Sequence, residues 1–291
     1  MKKRGILFLT GTCCALLISS CATYNSSVTG VQYGVATGTG GFGTRYTTHY
    51  WNEPVEPPNF SEGLAAVQKK GKWGYIDKAG KTVIKRKFDG AWSFNKGLAA
   101  VEVKGKWGHI DKTGNFVIEP KFDGVGNFYE GLAKVKVNDK WGFIDKTGTI
   151  VIEPKFDGTS PFSKGLAAVE VNDKWGFIDK TGTIVIELMF DEVEPFFEGL
   201  SGVKVNGKWG YTDKAGNIVI KPKFDEVDFF VGGLAGVKVN GKWGYVDKTG
   251  KIVIEPKFDE AGYFYNYTAK VKIDGKTVDI DKTGKVVPES Q

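Results

Sequence analysis

Shifting the chain against itself by 34 residues brings the same letters into register again and again, and this period constrains the fold more than any other feature. Trp-Gly recurs at Trp73, Trp107, Trp141, Trp175, Trp209 and Trp243, each followed by Gly. Gly-Leu recurs from Gly63 to Gly233, and Phe-Asp from Phe88 to Phe258, with another Phe six residues after each. Asp-Lys recurs from Asp77 to Asp281 with a Gly three residues after each Asp. No insertion interrupts the series. Every copy therefore has to occupy much the same environment.

Each copy reads as a three-stranded meander. "GLAAVEV" is a short apolar strand, closed by a tight turn such as Asn206-Gly207 or Asn240-Gly241, where both residues accept positive φ. "KWGFID" is the second strand. In "DKTG" the Asp side chain caps its own backbone and the Gly takes the left-handed position. "TIVIEP" is the third strand, and its expected stop is Pro120, Pro154, Pro222 or Pro256. Helix signals are nearly absent, so the body is all-β.

These linked motifs resemble the WG-repeat (KWG-repeat) proteins of bacteria, over about residues 59–287: six full copies and a degenerate seventh. The resemblance implies a scaffold and names no ligand. Short meanders at a fixed period suit two architectures, an open stack or a closed propeller. The body begins and ends on whole units. The last copy has Tyr267-Thr268 where Gly-Leu is due and Thr277-Val278 where Trp-Gly is due, as a terminal cap would. The expectation is seven repeats stacked as an open, twisted β array, with a closed seven-bladed β-propeller as the alternative.

The first 20 residues read as an export signal: Lys2, Lys3 and Arg4, then an apolar run to Ile18 that is too short for a permanent span. Ile18-Ser19-Ser20-Cys21 resembles the lipobox of bacterial lipoproteins. That resemblance implies cleavage before Cys21, acylation of Cys21 and, with Ala22 following, sorting to the outer membrane. Cys13 and Cys14 lie in the segment to be removed, so the exported body has no disulfide and no thiolate metal site. Residues 21–58 are rich in Gly and Thr and close with prolines. As a flexible tether they would span roughly 30–35 Å. Residues 288–291 form a short tail.

The repeated residues admit a site and a structural reading. The Trp ladder could stack sugars or bases. However, Trp73 and Tyr75 share a strand face, and the second position stays aromatic or nearly so (His109, Phe143, Phe177, Tyr211, Tyr245), as an inter-repeat core requires. The ladder from Asp77 to Asp281 places one carboxylate per repeat before a turn Gly. That fits capping better than calcium, whose loops cluster several ligands within a few residues. His49 and His109 are the only histidines, and no catalytic triad or phosphate loop breaks the pattern. We therefore expect no enzyme, cofactor or metal.

Net charge is +6, and three of those charges leave with the signal, which leaves about +3. Lysines are interspersed with acids, unlike a nucleic-acid stripe. The sequence thus leads us to expect a lipid-anchored envelope scaffold that binds an envelope or extracellular macromolecule. A spacer without a ligand is the alternative, and an enzyme or small-ligand binder with its site at one end of the array is the less favoured one.

Overall fold

A computed structural model describes residues 58–287. Cys21, His49, the signal and all but the last residue of the tether lie outside the described residues. The chain divides into two compact units, Met1–Phe156 and Asp157–Gln291. Both are built from antiparallel β-sheets, one per repeat, and no helix occurs among the described residues.

In the first unit, β1 (Leu64–Lys69), β2 (Lys72–Asp77) and β3 (Thr82–Phe88) form a three-stranded sheet. The next sheet runs β4 (Gly90–Ala91), β5 (Ala99–Val103), β6 (Lys106–Ile110), β7 (Phe116–Phe122). It adds to the expected meander a two-residue strand drawn from the segment after Phe88. The third sheet, β8 (Gly124–Val125) to β11 (Ile150–Phe156), repeats this order. The second unit, β12 (Gly158–Thr159) to β27 (Val286–Val287), holds four more four-stranded sheets.

The tight turns form as the residues dictate. Asn206 and Gly207 have φ of 49° and 77°, and Asn240 and Gly241 have 49° and 80°, the signature of a two-residue turn matched to strand twist. Asp77 Oδ1 accepts from the backbone N–H of Ala79 and of Lys81, both at 2.9 Å, and Gly80 takes φ 78°. The same capping recurs at Asp111, Asp145, Asp179, Asp213, Asp247 and Asp281.

One expectation needs correction. The third strand does not stop at proline: β7 runs through Pro120 to Phe122, and β11 through Pro154 to Phe156. Trp73 pairs with Phe88 while Tyr75, two residues on, pairs with Ile84, so the third strand bulges between these points. Proline sits within the bulge, where its missing N–H breaks no regular ladder bond.

That bulge explains the Trp-Gly pair. A Cβ on Gly74 would lie 2.5 Å from the Ile84 carbonyl oxygen, and one on Gly108, Gly142, Gly176, Gly210 or Gly244 would lie 2.3–2.5 Å from the matching oxygen. Only glycine lets the bulged backbone cross there.

The core lies between successive sheets within each unit. Tyr75 packs on Phe94 of the next repeat at 4.9 Å between ring centroids, and Tyr211 on Phe230 at 4.8 Å. Trp73, Trp175 and Trp209 are buried, at 5 %, 4 % and 8 % exposure, while Trp107, Trp141 and Trp243 are half-buried. Polar ties join neighbouring sheets as well. Tyr75 donates to the Trp92 carbonyl at 2.7 Å, and Lys72 pairs with Asp89 at 2.5 Å.

Candidate binding site

Among the described residues no group of three or more His, Cys, Asp or Glu could hold a metal ion. Each capping Asp is committed to its own turn. The second Asp ladder, Asp89 to Asp259, ties the loop after the third strand. Asp89 takes the Lys104 N–H at 2.8 Å and Asp225 takes the Asn240 N–H at 2.8 Å. The Trp ladder packs on partner strands and is not gathered into a platform. His109 is 2 % exposed and lies 5.1 Å from the Phe128 ring, and burial pushes its pKa down to about 4, opposed only by the Gly126 backbone. It replaces an aromatic, and among the described residues no acidic side chain is paired with it as a base would need.

The chemistry lies where the copies differ. Directly after each two-residue strand that opens a sheet, one residue donates its N–H across to the strand that follows: Trp92 to Ala100, Gly126 to Lys134, Ser160 to Ala168, Glu194 to Gly202, Asp228 to Gly236 and Gly262 to Lys270. Apart from the tie across the turn, this column is free to vary. One member of each pair is small, so the other can lie over it. A Cβ on Gly126 would lie 2.8 Å from the Lys134 side chain, one on Gly202 would lie 3.4 Å from Glu194 Cγ, and one on Gly236 would lie 2.7 Å from Asp228 Oδ2.

In the second unit this column places two carboxylates side by side in consecutive repeats. Glu194 follows β16 (Glu192–Val193) and Asp228 follows β20 (Glu226–Val227). Both are half-buried, and neither carboxylate has a hydrogen-bond or ion-pair partner among the described residues. Burial is the main cause of a raised pKa at both. Glu194 is pushed up to about 7, with the charges of Glu192 and Asp228 adding to the effect, and Asp228 to about 6, with that of Glu226 adding. Water loss disfavours a carboxylate anion unless a cation or donor replaces the water.

Aromatic rings border the pair. Phe197 lies 4.4 Å from Phe229, and Phe229 stacks on Tyr263 at 6.2 Å with an interplanar angle of 15°. Tyr263 is 46 % exposed, and its pKa is pushed up to about 12 by burial and by the charges of Asp228 and Glu194. Two desolvated carboxylates beside an aromatic row that is half-buried at Phe197 and Phe229 and exposed at Tyr263 can take up an ammonium or guanidinium group, charge to charge and face to ring. Among the described residues no nucleophile or orienting base is bonded to either carboxylate.

The sequence reading passed over Glu194, Asp228, Phe197, Phe229 and Tyr263. The signal was available in the 34-residue alignment: Trp92, Gly126, Ser160, Glu194, Asp228 and Gly262 form one of its most dissimilar columns.

A family model of the "WG containing repeat" matches the chain in seven consecutive segments: residues 58–73, 73–107, 107–141, 141–175, 175–209, 209–243 and 243–276. The chain belongs to the WG-repeat family. No curated protein sequence matches this WG-repeat chain. Among solved structures it is similar to a eukaryotic initiation factor, at 14 % identity and a TM-score of 0.49, covering 77 % of this chain and 72 % of that one. It is also similar to Hsv2 of Kluyveromyces marxianus (12 %, 0.41, covering 72 % and 85 %) and to the C-terminal WD40 domain of Sif2 (11 %, 0.39, covering 76 % and 78 %). All three TM-scores lie below 0.5, and they say nothing about what this WG-repeat protein binds.

Proposed function

We propose that the protein is an exported, lipid-anchored WG-repeat scaffold that binds a macromolecule in or on a bacterial cell envelope. Its anchor is Cys21, in the outer membrane, and residues 21–58 are the tether. The ligand presents ammonium or guanidinium groups to the acidic and aromatic patch of the second unit. One observation carries this reading: Glu194 and Asp228 are half-buried without a cation, each seated over a glycine beside the Phe197, Phe229 and Tyr263 row. An isolated pair of this kind lowers stability at neutral pH, and an incoming cation offsets that cost. The same charges repel phosphates, which argues against nucleic acid. The carboxylates serve binding and not catalysis, since neither is paired with a nucleophile.

Binding of the folded chain to envelope fractions tests the reading. The native protein retains a ligand from at least one fraction, and the Glu194→Gln, Asp228→Asn double variant loses at least tenfold in affinity with its melting temperature maintained or raised. Equal retention by both proteins sinks the patch as the site, and no retention on any fraction favours a spacer. Cys21→Ser tests the anchor: it moves the protein from the membrane pellet to the soluble fraction.

A further inference from the structure

A two-residue turn opens each meander, from Glu62-Gly63 in the first repeat to Asn266-Tyr267 in the last, and both of its residues take positive φ. Across the first six repeats its first position reads Glu, Lys, Glu, Lys, Glu, Gly. Where it is Glu198, the carboxylate reaches into the following repeat. One oxygen accepts from the Gly232 N–H at 2.8 Å, and the other from the Gly233 N–H and from Lys248, both at 3.1 Å. Lys248 also donates to the Glu198 carbonyl at 2.9 Å. Glu62 is held in the same way: its Oε2 accepts from the Gly97 N–H and from Lys112, both at 3.0 Å. Lys96 and Lys164 instead lay their ammonium groups over the rings of Tyr129 and Phe197, at 5.9 and 5.6 Å.

Gly232 supplies neither group. One period after Gly232, Gly233 and Lys248 stand Asn266, Tyr267 and Lys282, which offer the same three donors. Lys282 keeps the carbonyl half of the arrangement and donates to Gly232 at 2.5 Å. Among the described residues no carboxylate pairs with Lys282, and neither the Asn266 nor the Tyr267 N–H has an acceptor. The fold does not demand this glycine. A Cβ on Gly232 would meet nothing nearer than 3.5 Å, and the five earlier copies carry a side chain there at left-handed φ. Tyr265 and Tyr267 are 60 % and 80 % exposed, so solvent reaches the turn. Successive N–H groups in such a turn form a concavity that holds anions, and an ammonium beside it strengthens the hold.

We propose that the Asn266-Tyr267 turn and Lys282 bind the carboxylate of a glutamate side chain on a partner protein, seated as Glu198 is seated one repeat earlier. One oxygen takes the Asn266 N–H, and the other takes the Tyr267 N–H and the Lys282 ammonium. Two oxygens on three donors suit a planar carboxylate, and the precedent of Glu198 and Glu62 selects one carried on a flexible stem. The exposed rings of Tyr265 and Tyr267 give the partner chain a surface to lie on. No residue of this site belongs to the acidic and aromatic patch, and the two are independent.

The probe is the peptide Phe-Phe-Glu-Gly-Leu, the sequence of residues 196–200, acetylated and amidated so that the glutamate holds its sole carboxylate, and titrated into the full chain. The amide resonances of Asn266 and Tyr267 are expected to shift and saturate, while those of Gly232 and Gly233, already held by Glu198, stay in place. Glutamine for the peptide's glutamate weakens binding at least tenfold, and this control leaves the protein untouched. Lys282→Gln weakens it about tenfold. Gly232→Glu supplies the carboxylate from within the chain, so it abolishes binding while the melting temperature rises. Deleting residues 288–291 leaves the affinity unchanged. The proposal falls if no saturable shift appears at millimolar peptide, if the glutamine peptide binds equally well, or if Gly232→Glu binds as the native chain does. Glucuronate is expected to bind at least tenfold more weakly than the peptide, and equal binding overturns the glutamate assignment in favour of an acidic sugar. Tighter binding after the deletion overturns it too, because the chain's own terminal carboxylate then competes for the turn.

Discussion

At the scale of single residues, the glycine after each tryptophan marks where this chain tolerates no alternative. A methyl group on Gly210 meets the Ile220 carbonyl at 2.3 Å, and that atom belongs to backbone that cannot swing aside. Gly210→Ala should cost about 3 kcal/mol in a urea melt, the upper range for an overpacked core. Two titrating sites act with opposite sign. His109 titrates near 4 in the fold and near 6.5 unfolded, so its contribution is complete above 6.5 and is lost as pH falls toward 4, by up to about 3 kcal/mol. Glu194 titrates near 7 in the fold and near 4.5 unfolded, so its contribution is complete below 4.5 and is lost as pH rises through 7. Melts across pH 4–8 separate them. His109→Phe should gain stability on acidification relative to the native chain, and Glu194→Gln should gain it above pH 7. The Trp-Gly pair was legible in the sequence as a packing unit. That its glycine leaves room for a neighbouring ring or backbone was legible too, but the bulge that brings the backbone there was not, because no one-dimensional pattern shows a bulge on the neighbouring strand.

At the scale of elements, the meander and both turn types were readable from local chemistry, since Asn-Gly and Asp-x-x-Gly need no tertiary partner. The end of the third strand was misread at proline. A proline stops a regular ladder, and here the ladder is already broken by the bulge, so the strand passes through Pro120 to Phe122. The two-residue strands stayed hidden because Gly90-Ala91 or Glu192-Val193 has no period to detect. The hairpins also show an unused gain. Asp173 sits at φ 60° where Gly207 and Gly241 serve in later repeats. Asp173→Gly should therefore stabilise by about 0.5 kcal/mol, visible as a shifted urea midpoint with unchanged slope.

At the scale of the molecule, sheets of one design follow one another, and within each unit a sheet packs on its sequence neighbours. Removing residues 209–242, one full period, rejoins Lys208 to Trp243 at the same point of the repeat. The shortened chain should keep a β-type circular dichroism spectrum and a cooperative melt, as nearest-neighbour arrays do, while losing Asp228 and half of the acidic pair. The exchange of bulk across each two-residue strand has a wider consequence. Because the seat opposite can shrink to glycine, a single slot per repeat has held Trp, Ser, Glu, Asp or nothing without disturbing the strands around it. Each copy thus works like one movable character in a line of type. On the proposed reading, what this chain binds can be reset one repeat at a time by a paired change, such as Glu194 with Gly202, while the backbone that prints it stays the same.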